Sequence, residues 1–242
     1  MEKTPNDRAD QDIKCQSDGK RMFLKLGVTA LAALGFDALT ARAIAAGDNR
    51  FLDLPTAPQT GAVDLGAGDV GVMNYAFALE QAELAFLKQV IARPFSGITA
   101  DERRIFQELH DQEVVHNEFF KAMLGARAIP ALQTDFSRVN FNNRASVLKT
   151  SMTFADLATS AYNGAGKLLV DPVNLAISGK IVSIEARHAA IVRDLIRPRT
   201  DFFAPDALDP AREPAEVLKI ASAFVKTPIN ASRLPKGTEA KP

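Results

Sequence analysis

The sequence predicts an all-α fold: a four-helix bundle of two helical hairpins joined by a long crossover, then a short C-terminal helix and an irregular tail. Three observations predict it. Apolar residues recur every three or four positions through four long segments, the spacing of one buried helix face. Helix breakers stand at the end of each segment, and the connections run short, long, short, as two hairpins and a crossover require. No strand-like alternation of any length interrupts them.

Residues 1–46 read as an address rather than as part of the fold. A polar stretch containing the only cysteine, Cys15, leads to Lys20-Arg21-Met22-Phe23-Leu24-Lys25 and an apolar run from Leu26 to Phe36. The small residues Ala41 to Ala46 follow, with cleavage points after Ala43, Ala45 or Ala46. A basic patch, a short apolar run and small residues form an export signal, and the run is too short to span a membrane. The basic segment resembles a twin-arginine signal, with Lys20 in place of the first arginine. The expectation is an exported protein, periplasmic or extracellular, with no stable membrane span after cleavage.

Residues 47–68 hold Gly, Pro, Thr and Asp without periodicity and read as an extended lead-in. The bundle spans 69–196. Helix one is expected at 69–93, ended by Pro94 and Gly97, and helix two at 100–125. Thr99 with Glu102 forms a capping box for helix two, and Gly125 closes it. A linker carrying Pro130 crosses to helix three at 145–169, which Asp171-Pro172 breaks. Helix four runs 173–196, up to Pro198. Residues 197–242 form a proline-rich segment with one short helix at 214–226 and a polar tail.

Composition narrows the chemistry. Twenty-nine basic residues balance 29 acidic ones, which argues against a nucleic-acid partner. One cysteine excludes an internal disulfide and a cysteine-built zinc site, so any metal must rest on three histidines and the carboxylates.

Those residues interrupt the apolar stripes. Helix one reads Met73, Phe77, Glu80, Leu84 or Glu83, Leu87, Ile91. Helix two reads Ile105, Leu109, Glu113, His116, Phe120, Met123. Helix four reads Ile177, Ile181, Glu185, His188, Val192, Leu195. A buried lone carboxylate costs several kcal/mol unless it takes a proton or a partner. A cation resolves the conflict, because carboxylate oxygens and imidazole nitrogens become its ligands. Glu113-Val114-Val115-His116 and Glu185-Ala186-Arg187-His188 repeat one Glu-x-x-His unit, whose ends share a helix face one turn apart. A hydrogen-bonded network without metal is the alternative for these four residues. His110 lies beside its stripe and reads as exposed.

Residues 69–196 resemble the ferritin-like superfamily of carboxylate-bridged metal bundles, and more narrowly the exported ferritin-like proteins of the desiccation-related type. The resemblance is carried by Asn74-Tyr75-Ala76-Phe77-Ala78-Leu79-Glu80-Gln81-Ala82-Glu83, by Ser160-Ala161-Tyr162-Asn163-Gly164-Ala165, and by Ile184-Glu185-Ala186-Arg187-His188-Ala189-Ala190. It implies Glu80 as a terminal ligand with Glu83 as its substitute, Glu113 and Glu185 as bridges, and His116 and His188 as terminal nitrogen ligands. Helix three departs from the pattern: the family's glutamate falls at Ala155, with Asp156 beside it but rotated by about 100°. Three outcomes follow: a lopsided pair completed by Asp156 or water, a single ion, or an empty polar remnant. Tyr162 reads as core packing, with donation of a hydrogen bond near a metal pair or acceptance of an oxidising equivalent as its alternative.

The resemblance implies one or two ions of iron or manganese, with zinc also able to bind, and O₂ or peroxide as the reacting partner. That chemistry would serve as an oxidase or in peroxide and iron detoxification under stress. A non-catalytic stress or desiccation protein with a degenerate site is the competing reading, and iron storage in a shell a third. Self-association into a homo-oligomer is compatible with all three.

Overall fold

The computed structural model describes residues 61–236; the expected signal and most of the lead-in lie outside them. Four long helices form the ferritin-like bundle: α1 (Gly68–Ala92), α2 (Ala100–Leu124), α3 (Arg144–Ala165) and α4 (Pro172–Ile196). A fifth, α5 (Pro214–Ala221), follows the proline-rich segment. Among the described residues no helix is long and apolar enough to cross a membrane.

Local chemistry sets the helix ends. Thr99 Oγ1 accepts from the Glu102 amide at 3.1 Å and Glu102 Oε2 accepts from the Thr99 amide at 2.9 Å, a reciprocal capping box. Asn143 caps α3 by accepting from the Ser146 amide, and Asp171 caps α4 by accepting from Val173, with Pro172 in the first turn. Glu102 also receives Arg144 at 2.6 Å, and Arg144 donates to the Leu195 carbonyl. One guanidinium thus joins the start of α2, the start of α3 and the end of α4.

Two polar residues of α1, the buried Asn74 and the half-buried Gln81, fix the crossover. Asn74 donates to the Leu65 and Arg127 carbonyls and accepts from the Ile129 amide, while Gln81 accepts from the Leu132 amide. Each satisfies backbone groups that burial would otherwise leave unpaired. One turn beyond Glu83, Phe86 enters an aromatic cluster with Phe136, Phe141 and Phe154. Phe224 from the C-terminal segment packs against Phe154 with the rings tilted by 42° and their centroids 4.8 Å apart. At about 1.5–3 kcal/mol per buried phenylalanine, this cluster is a main source of cohesion beside the site.

Three expectations are corrected. The third helix stops at Ala165 and tightens into a 3₁₀ turn, Gly166–Leu168, instead of running to 169. The short helix stops at Ala221, five residues early. The ends are not wholly irregular: β1 (Val63–Asp64) pairs in parallel with β2 (Ile229–Asn230). That pair is too short to leave an alternating pattern in the sequence.

Candidate metal centre

Three helices each turn a pair of ionisable side chains inward at mid-length: Glu80 and Glu83 on α1, Glu113 and His116 on α2, Glu185 and His188 on α4. All six are buried, Glu113 and Glu185 completely. Within each pair the spacing is i, i+3, so both members lie on one face. The six form two overlapping quartets: Glu80, Glu113, His116 and Glu185, then Glu83, Glu113, Glu185 and His188. In each quartet one donor atom per residue lies within 4.8 Å of all the others.

The two shared carboxylates have the disposition of bridges. Glu185 Oε1 lies 3.1 Å from His116 Nδ1 and Glu185 Oε2 lies 3.5 Å from His188 Nδ1. Glu113 Oε1 sits 3.4 Å from His116 Nδ1 and 3.3 Å from His188 Nδ1. Ligands about 2.1 Å from a common cation and at right angles to each other are about 3 Å apart, close to these separations. The donors therefore fit a cation in each quartet. Both oxygens of Glu113, both of Glu185 and His188 Nδ1 are buried with no hydrogen-bond partner. Buried polar atoms are nearly always satisfied, and cations would satisfy these.

The field inside the cluster is divided. Burial, then the neighbouring carboxylates, push Glu80 and Glu83 well above the usual carboxylate range. Burial also resists charging His116 and His188, but the surrounding carboxylates together outweigh it and hold both rings well above the usual histidine range. Burial likewise opposes ionising Glu113, yet the positive charge of the His116 ring beside it keeps it well below its ordinary value. Protons thus neutralise this cluster wherever cations do not.

The sequence pattern of a ferritin-like domain matches residues 68–198, more than half of the chain. The chain belongs to the ferritin-like domain family. A comparison with curated proteins found no match.

This ferritin-like domain differs from the sequence expectation in how its second quartet closes. Asp156 takes no part in it: its carboxylate receives Arg193 of α4 at 2.6 Å. Glu83, expected only as a substitute for Glu80, occupies the second quartet while Glu80 occupies the first. Both end carboxylates therefore come from α1. On α3, Ala155 and Thr159 are buried, and Thr159 returns its hydroxyl to the Ala155 carbonyl. Tyr162 is the α3 side chain that reaches the cluster, donating its hydroxyl to Glu80 Oε1 at 2.5 Å. His110 is half-buried rather than exposed and contacts Asp111 at 3.0 Å.

Two supporting residues escaped the reading of the stripes. Asn117 donates to the backbone carbonyls of Glu80 and Glu113, each at 2.9 Å, and ties α1 to α2 behind the ligands. Gln112 Oε1 lies 2.8 Å from His188 Nε2. Neither stands on a stripe position. The only signal was adjacency, since each directly flanks one end of the Glu-x-x-His unit.

Proposed function

We propose that this protein is an exported ferritin-like metal-binding protein that holds two iron or manganese ions and uses them against O₂ or peroxide. The observation that carries the reading is the pair of quartets sharing Glu113 and Glu185. Four carboxylates balance two divalent cations, and oxygen donors with two imidazoles suit Fe(II) or Mn(II). Zinc would bind the same donors without redox chemistry. Glu80 and Glu83 would be the end carboxylates, Glu113 and Glu185 the bridges, and His116 and His188 the nitrogen ligands. When bound, iron or manganese supplies the electrons that reduce O₂ or peroxide. The chain's own part is to hold the donors before the metal arrives and to exclude bulk water by burial. Tyr162 keeps a proton at Glu80 Oε1, since burial and Glu80 both disfavour the phenolate.

Export rests on the basic patch, apolar run and alanine-rich stretch of residues 20–46. Detoxification of iron or peroxide outside the cytoplasm unites that address with the site. The test is elemental analysis of the purified chain beside its Glu113→Ala and His188→Ala variants, with peroxide consumption and aerobic Fe(II) oxidation measured on each. About two ions per chain are expected in the parent, with a loss of at least one in each variant. No bound metal in the parent would sink the reading and favour a non-catalytic stress or desiccation-related bundle. Metal without either activity would confine the function to binding.

A further inference from the structure

We infer that Gln112 is a positioning residue that makes the two cation positions unequal, presenting His188 to its cation while His116 lacks the counterpart among the described residues. The inference rests on the metal-binding reading above.

Gln112 directly precedes Glu113 on α2, so its side chain leaves the ligand face by about 100° and reaches toward α4. Its Oε1 lies 2.8 Å from His188 Nε2. An amide oxygen only accepts, so Nε2 carries the hydrogen, and the lone pair of the neutral ring falls on Nδ1. Nδ1 is the nitrogen facing Glu113 Oε1 at 3.3 Å and Glu185 Oε2 at 3.5 Å, and it has no hydrogen-bond partner of its own. When a cation displaces the second proton of the ring, this one hydrogen bond therefore fixes the tautomer of His188 and aims its free nitrogen into the second quartet.

The matching unit lacks this device. Ile184 stands immediately before Glu185, where Gln112 stands before Glu113, and an isoleucine side chain cannot accept a hydrogen bond. His116 is held instead through Nδ1, with Glu80, Glu113 and Glu185 oxygens 3.2, 3.4 and 3.1 Å away. That is the nitrogen a cation needs, so a cation must displace the contacts that orient the ring. At His188 the orienting contact is on the far nitrogen and survives cation binding. The Glu83–His188 position therefore fills first and holds its ion more tightly. Partners of this kind on ligating histidines are worth about 10–100-fold in metal affinity.

The test is an anaerobic Mn(II) titration of the full chain, with free Mn(II) counted by electron paramagnetic resonance. The parent should bind in two steps of different affinity. Gln112→Leu should weaken the tighter step about 10–100-fold and leave the other unchanged. Gln112→Glu, which keeps an acceptor, should retain the tighter step. The melting temperatures of the three metal-stripped proteins should agree, which separates positioning from packing. A Gln112→Leu titration that superimposes on the parent's, or one in which both steps weaken equally, would overturn the inference alone. A parent that takes up no Mn(II) would overturn the metal-binding reading and this inference with it.

Discussion

Glu83 lies three residues after Glu80 on α1, and its carboxylate completes the quartet that α3 leaves open with Ala155. Glu83→Ala should lower the metal content from about two ions per chain to about one, whereas Asp156→Ala should leave it unchanged. Elemental analysis of both variants decides between them; equal loss in the two would show that Asp156 moves into the site. The sequence revealed the six ionisable positions but not this division of labour. On α1 every residue from Gly71 to Glu80 is buried, so a stripe read at helical spacing could not tell which glutamate faced the centre and which its edge. Asp156 was ambiguous for a different reason. Its partner, Arg193, is 37 residues away on α4, and no local pattern announces such a pair.

Helix α3 serves the site on one face and the C-terminal segment on the other, both within Ser160–Ala165. Tyr162 turns inward to Glu80. Ser160 accepts the Arg212 amide on its carbonyl and the Arg212 guanidinium on its hydroxyl, at 2.9 and 2.7 Å, and Asn163 donates to the Pro210 carbonyl. Gly164 is what allows the contact, because a Cβ built there would lie 1.8 Å from the Arg212 carbonyl oxygen. Gly164→Ala should therefore lift this strap and cost about 1–3 kcal/mol. The expected readout is a lower melting temperature with faster proteolytic cleavage between residues 204 and 212; resistance equal to the parent's would refute it. Helix ends were legible because capping boxes, prolines and glycines act within a few residues. The strap and the β1–β2 pair were not, because each joins segments whose attraction exists only after the bundle has formed.

At the scale of the molecule, acidity and the proposed metal binding are linked. Glu80, Glu83, His116 and His188 all hold protons more tightly in the fold than at their ordinary values of 4.5 and 6.5. The metal-free fold thus binds more protons than the unfolded chain, and its stability falls as pH rises above those ordinary values. Glu113 acts oppositely, but its contribution is lost only on acidification below 4.5, so it does not reverse the trend near neutrality. Cations compete with the same protons, and their stabilisation, about 2.7 kcal/mol at a hundredfold excess over Kd, grows as pH rises. The gap in melting temperature between samples with Mn(II) and with chelator should therefore widen from about pH 6 to about pH 8. A gap independent of pH would contradict the proton–metal exchange.

Carrying both end carboxylates on α1 has a consequence for tolerance. Their separation along the axis is three residues of helical rise, about 4.5 Å, and each Glu-x-x-His unit repeats the same interval. The ruler that spaces the ligands is thus the backbone hydrogen-bonding of single helices, not the fit between helices. If the proposed ions bind, substitutions that loosen the bundle would change how tightly they are gripped before changing how far apart they sit.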